Sequence, residues 1–282
     1  MQVARTVAEF RALRAPQPAP VGLVPTMGYL HEGHRSLIRA ARTANATVVL
    51  TLFVNPTQFG PNDDFTRYPR DEARDLAICA EEGVDLVLAP AVEEIYPAGA
   101  TTSVSVGPLS TVLEGAARPG HFDGVATVVT KLFAITQPDR AYFGQKDAQQ
   151  LLVIRRLTED LRLPVEIVGC PTVREPDGLA LSSRNVYLSP EERAQALALS
   201  RGLRAAAAAW ADGVRDAAAL REGVRREIEA QPLARIDYVS LADTSTLAEL
   251  DGAVGGAALL SLAVRFGGTR LIDNVVLEPT SA

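Results

Sequence analysis

Apolar and polar positions alternate in blocks along the first part of the chain. An apolar run at 21–25 ends at a turn, a helical period occupies 34–44, and a β-branched run fills 47–54. The succession then repeats. Helix patterns cover 71–82 (closed by Gly83), 125–136 (closed before Pro138) and 148–160, and strand patterns cover 84–89, 140–143 and 165–168. Strand, helix, strand in this order predicts a parallel sheet with covering helices. The stretch 101–124 is less regular. The first fourteen positions interleave acid and base with apolar residues, which predicts an amphipathic helix and no signal peptide.

Turn residues and charge gather at 171–178, and the pattern changes beyond them. An alanine-rich helix is predicted at 190–211, opened by Ser189 and Pro190, with a second helix at 215–230. Strands at 235–241, 257–264 and 269–272 predict a small mixed sheet. The expected organisation is an α/β chain: a Rossmann-like parallel sheet with flanking helices over 1–173, and a smaller α+β domain over 174–282.

Composition narrows the function. The chain has 282 residues, is 47% hydrophobic and carries a net charge of -6. It lacks the broad basic surface that nucleic-acid binding needs. No run of about 18 uncharged apolar residues predicts a spanning helix. Cys79 and Cys170 sit in apolar segments with no metal-ligand spacing, as inert thiols of a reducing compartment would. A cytoplasmic protein is expected, with neither nucleic acid nor membrane as partner. Of the 28 basic residues only Lys131 and Lys146 are lysine. Where arginine serves elsewhere, a retained lysine marks a place for a compact, flexible ammonium.

Four segments carry candidate chemistry. The first, Val24-Pro-Thr-Met-Gly-Tyr-Leu-His-Glu-Gly-His34, follows a strand and opens a helix. Amides and the helix dipole favour an anion there, and Gly28 and Gly33 permit close backbone approach. His31 and His34, three apart, share a face. Imidazolium or neutral imidazole N–H groups would hold phosphates. The competing readings are a zinc pair, disfavoured because this is not the His-Glu-x-x-His spacing, and a plain turn with two surface histidines.

The second, Phe53-Val-Asn-Pro-Thr-Gln-Phe59, follows the next strand. Asn55 and Gln58 there would hydrogen-bond a hydroxyl or a carboxylate, since ligands of open parallel sheets bind beyond the carboxyl ends of strands. The third, Tyr142-Phe-Gly-Gln-Lys-Asp-Ala-Gln-Gln150, puts Lys146 between strand and helix as a mobile point charge for phosphate. The fourth, Val173 to Asn185, offers the Ser182 and Ser183 hydroxyls with the Arg184 guanidinium as a polyphosphate clamp.

His-x-Gly-His after the first strand resembles the signature of the adenylyl-transferring superfamily that includes class I aminoacyl-tRNA synthetases. The longer string Pro-Thr-Met-Gly-x-Leu-His-x-Gly-His resembles the pantothenate synthetase family. The stretches Tyr68-Pro-Arg70 with Asp75, Leu113-Glu-Gly115, Arg118-Pro-Gly-His-Phe122 and Leu271-Ile-Asp-Asn274 are similar to it too. The resemblance is dense from about 20 to 190 and thins through 200–265.

It implies ATP-dependent condensation of pantoate with β-alanine through a pantoyl-adenylate, in a homodimer. It assigns catalysis to His31, His34, Lys146, Ser182, Ser183 and Arg184. ATP would also meet Met27, Gly28, Tyr29, Leu30, Glu32, Gly33, Gly144, Gln145, Asp147, Val173 and Leu181. Pantoate would meet Pro25, Thr26, Asn55, Gln58 and Gln150, with Gln58 also at the β-alanine site. Mg2+ would bridge the phosphates, with Asp75 and Glu114 as candidate helpers, although a solvated surface role suits Asp75 better. Gln145 stands where the family form has glutamate, so no catalytic weight falls on it.

Three alternatives remain open. A dinucleotide-forming nucleotidyltransferase would share the histidine loop but has no use for the Asn-Pro-x-Gln-Phe segment. A tRNA synthetase conflicts with the length and the acidity. A non-catalytic ATP-binding regulator would be expected to have damaged phosphate motifs.

Overall fold

A computed structural model of the chain describes residues 1–60 and 65–279. The chain forms two compact units, one of residues 1–145 with 149–171, the other of 146–148 with 172–282.

The first unit holds six strands: β1 (Gln2–Ala4), β2 (Val21–Thr26), β3 (Thr47–Leu52), β4 (Leu86–Leu88), β5 (Arg140–Gly144) and β6 (Glu166–Cys170). They pair in parallel in the order β1-β4-β3-β2-β5-β6. The helices are α1 (Val7–Arg14), α2 (Glu32–Ala44), α3 (Glu72–Glu81), the short α4 (Val92–Ile95) and α5 (Glu114–Ala117), α6 (His121–Thr136) and α7 (Ala148–Asp160). β3 reads TVVLTL and its first five residues are buried, as a central strand covered on both faces must be. One core cluster joins Val24, Leu50 and Val87 of the sheet to Leu37, Ile38 and Ile78 of α2 and α3. Chain order reverses between β2 and β5, so the topological switch, where open α/β sheets bind ligands, lies at the carboxyl ends of these two strands.

The second unit holds α8 (Pro190–Ala211), α9 (Ala217–Glu229), β7 (Ala234–Asp243), β8 (Ala258–Phe266) and β9 (Thr269–Leu277). Ser189 caps α8: its side chain accepts from Glu192 N, and the Glu192 carboxylate accepts from Ser189 N. The apolar faces of both helices meet the sheet in a second core around Leu199, Leu203, Val224, Leu260 and Leu262.

The α/β architecture agrees with the sequence pattern, and four expectations change. The amphipathic start is split: residues 2–4 form an edge strand paired with β4, and the helix begins only at Val7, capped by Thr6 and Glu9. A three-residue strand has too little length to show a period of two. The small sheet is purely antiparallel, not mixed, in the order β7-β8-β9. Its last strand runs to Leu277, five residues beyond the pattern, because Asp273 and Asn274 are buried polar residues that mask the alternation. The helix expected from 125 begins at His121, behind the left-handed Gly120.

Candidate active site

Three segments of the first unit converge at the switch point. The loop after β2 turns at Gly28 (φ 82°) and Tyr29 (φ 52°). A Cβ on Gly28 would lie 2.9 Å from Asp75 Oδ2, so glycine is required both by conformation and by this close approach. Asp75 comes from the first turn of α3, is only 2% exposed, and makes no ion pair among the described residues. Its Oδ2 accepts from Tyr29 N at 2.7 Å and its Oδ1 from Leu30 N at 2.7 Å. The surface role expected of Asp75 is overturned. Its carboxylate fills the nest of amides formed by the loop.

The same loop delivers the two histidines. His31 is the N-cap of α2: its Nδ1 accepts from Gly33 N at 3.1 Å, and His34 Nδ1 accepts from His31 N at 3.2 Å. The rings lie 4.1 Å apart between centroids. An accepting Nδ1 carries no proton, so both neutral rings bear theirs on Nε2. An imidazolium would place a proton on Nδ1 and break a cap bond. The amides of Tyr29, Leu30, His31 and Gly33 thus all donate to side chains.

The segment after β3 buries Asn55 (1% exposed) and Gln58 (9% exposed). Asn55 Nδ2 donates to Gln58 Oε1 and to the Gly124 carbonyl, each at 3.1 Å. Gln58 Nε2 reaches Met27 Sδ at 3.3 Å, so Met27, Asn55 and Gln58 form one cluster. The Gln58 carbonyl accepts from His121 Nδ1 at 2.8 Å and Arg118 Nη2 at 3.3 Å. The pair Arg118 and His121, noted in the sequence only as a matching stretch, anchors this loop by its backbone.

Of the neighbouring glutamines on α7, Gln149 is buried and bonds Glu114 N and the carbonyls of Leu109 and Val112. Gln150 is half-buried. Glu114 is buried at the start of α5. Among the described residues no three His, Cys, Asp or Glu side chains gather as metal ligands, and both Asp75 oxygens are already committed to amides. Neither thiol is an activated nucleophile. Burial, assisted by the charge of Asp75, pushes Cys79 up to about 12, and burial raises Cys170.

The second unit carries the remaining candidates. Residues 173–181 form a tight hairpin, with Leu181 N donating to the Val173 carbonyl at 3.0 Å. Ser182 then caps a 3₁₀ turn, Ser183–Tyr187, its Oγ accepting from Arg184 N at 3.2 Å. Ser182, Ser183 and Arg184 are half-buried. The Leu271-Ile-Asp-Asn274 stretch supports both ends of this set. Asp273, 2% exposed, receives Arg174 bidentately at 2.6 and 2.9 Å, and Asn274 Nδ2 donates to the Lys146 carbonyl at 2.8 Å.

Comparison with known proteins identifies the family. The family model for pantoate-beta-alanine ligase matches residues 2–276. The pantothenate synthetase of Roseiflexus sp. (strain RS-1) is 65% identical over 99% of this chain and 100% of its own length. The crystal structure of the Thermus thermophilus pantothenate synthetase superposes with a TM-score of 0.94 at 53% identity, covering 99% of this chain and 100% of that one. The Francisella tularensis pantoate-beta-alanine ligase, solved with beta-gamma ATP and beta-alanine, superposes with a TM-score of 0.79 at 34% identity, covering 98% and 97%. With the family model matched over nearly the whole chain and the whole length of its relatives spanned, the chain belongs to the pantoate–β-alanine ligase family, enzymes that form pantothenate.

Proposed function

We propose that this ligase works in two half-reactions. The pantoate carboxylate attacks the α-phosphorus of ATP, the bond to the bridging oxygen breaks, and pyrophosphate leaves. The amine of β-alanine then attacks the acyl carbon of pantoyl-adenylate, AMP leaves with the bonding pair, and the amine proton passes to solvent. Neither step needs a protein nucleophile, which suits a chain whose two thiols are both buried in the core.

The observation that carries the reading is the pair of neutral imidazoles fixed side by side at a helix start, each with its proton on Nε2. Such preorganised donors stabilise charge that builds on phosphate oxygens. His31, His34 and Lys146 serve the transferring and leaving phosphates, and Ser182, Ser183 and Arg184 hold the polyphosphate. Gly144 to Asp147, Met27 to Gly33, Val173 and Leu181 line the nucleotide. Gln58 and Gln150, beside Pro25 and Thr26, hold pantoate, with Gln58 also meeting β-alanine; Asn55, expected to bond the substrate itself, is 1% exposed with its amide committed within the protein and acts through Gln58. Mg2+ enters with ATP as part of the substrate, held by phosphate oxygens and water. Residues 1–173 bind ATP and pantoate, and 174–282 act as a lid. The working form is a cytoplasmic homodimer. The two buried free thiols, which suit a reducing compartment, support the first of these last assignments, and the family resemblance supports the dimer.

The test is pyrophosphate–ATP exchange with Mg2+ and pantoate, β-alanine left out. Exchange that requires pantoate, followed by AMP release in step with pantothenate once β-alanine is added, is the expected result. Exchange with a different acid would overturn the substrate assignment. Tight ATP binding without exchange on any acid would overturn catalysis in favour of a regulator.

A further inference from the structure

Lys131, one of the two lysines, has no part in the phosphate chemistry above. It lies on α6, seven residues after Gly124 and so on the same face. Its Nζ donates to the Ile95 carbonyl at the end of α4 at 2.7 Å and sits 4.4 Å from the centre of the Tyr96 ring. An ammonium in that position holds the ring electrostatically. The Tyr96 hydroxyl in turn lies 2.9 Å from Asn55 Oδ1 and 3.1 Å from Thr57 Oγ1, and Thr57 Oγ1 lies 2.9 Å from Asn55 Oδ1. The two hydroxyls supply two protons for three contacts. Asn55 Oδ1 has none to give and is the acceptor in either arrangement.

The Asn55 amide therefore has one orientation. Its oxygen faces Thr57 N and the two hydroxyls, and its nitrogen faces the Gly124 carbonyl and Gln58 Oε1. With Oε1 engaged by Asn55, Gln58 turns its Nε2 away from Asn55, on the side of Met27. α6 packs so closely that a Cβ on Gly124 would come within 2.4 Å of the Thr57 carbonyl. The loop is thus gripped by α6 twice, directly at Gly124 and through Lys131 and Tyr96.

We infer that Tyr96, seated by Lys131, is a positioning residue that holds Asn55 so that Gln58 presents its amide N–H groups, and not its carbonyl, to an oxygen of the acid substrate. This rests on the reading above that Gln58 binds pantoate. Burial raises the Tyr96 phenol, which keeps the hydroxyl protonated as a donor through the working pH range.

The experiment measures exchange with KM for pantoate and for ATP determined separately, in the unaltered enzyme, Tyr96→Phe, Gln58→Ala and the double variant. Loss of one hydroxyl from a buried network predicts a rise of about three- to tenfold in the pantoate constant for Tyr96→Phe, with the ATP constant unmoved. Gln58→Ala raises the pantoate constant further, and adding Tyr96→Phe to it changes nothing more. Lys131→Met moves the same constant in the same direction as Tyr96→Phe. Asn55→Asp, of the same shape but with an oxygen facing Gln58 Oε1, exceeds Tyr96→Phe.

An unchanged pantoate constant in Tyr96→Phe, equal changes in both constants, or additive effects in the double variant would each overturn the positioning role. An unchanged Lys131→Met would remove the lysine from it. If Gln58→Ala itself leaves the pantoate constant alone, the substrate assignment fails and the relay with it. If only Gln58→Ala has an effect, the relay alone fails.

Discussion

The segment bearing His31 and His34 and the segment bearing Ser182 to Arg184 are built on different plans. In the first, successive backbone amides are satisfied by side chains, and a buried carboxylate from another helix sits at the centre. In the second, the Ser182 cap and Asn185 Nδ2, which donates to Glu175 Oε1 and to the Ala180 carbonyl, hold a 3₁₀ turn whose Val186 and Tyr187 are 62% and 47% exposed. Under the proposed mechanism the difference matches two tasks. Donors aimed at a developing charge gain from having no freedom left to lose. Donors that gather a bound polyphosphate need only reach it, and side chains on a short turn are enough.

The sharpest way to break this comparison is to remove the fixed donors. His34→Ala, and separately Lys146→Ala, are expected to slow pantoate-dependent exchange by about 10²- to 10⁴-fold. Rates close to that of the unaltered enzyme in both variants would end the assignment. Asp75→Asn comes next. The amide must turn an N–H toward either Tyr29 N or Leu30 N, leaving a buried donor unmatched at a cost of about 1–3 kcal/mol. A fall in kcat of exchange of about tenfold or more is expected, with the chain still folded by circular dichroism. An unaltered kcat would mean that the loop holds its shape without the carboxylate.

Arg184→Ala tests the other plan. It is expected to raise the KM for ATP by about tenfold while the thermal midpoint stays within a degree or two, since the side chain is half-buried on a turn. A large drop in that midpoint would show the turn to be as tightly integrated as the histidine loop. The smallest effect on activity concerns Cys79, four residues beyond Asp75 on α3. Its thiol is expected to resist thiol reagents at pH 8 until the protein unfolds. Because folding raises it from 9.0 to about 12, the unfolded chain loses this proton first, so stability falls as pH rises through that window. Urea titrations of the unaltered chain and Cys79→Ala across pH 9–12 should converge. Parallel curves would contradict the shift.

Much of this was legible in order along the chain. The continuous apolar β3, the helix starting at Ser189 and Pro190, and the placing of motifs after β2, β3 and β5 follow from periodicity and turn chemistry, which act over a few residues. The histidine pair was legible as a pair, but not its protonation. The structure adds that Nδ1 of each ring accepts a backbone N–H of the helix start, an arrangement the neutral imidazole provides.

The order of residues alone therefore specified the alternation of elements and the residue types brought to each loop. The tertiary structure decided which polar groups were used up before any substrate arrives. Asp75 and Tyr29 are 46 positions apart, Tyr96 and Asn55 are 41 apart, and Asn274 and Lys146 are 128 apart. No local pattern records such pairs. A buried carboxylate or amide must find its partner wherever the packed chain supplies one, and in the sequence Asp75 reads like any acidic residue in the first turn of a surface helix.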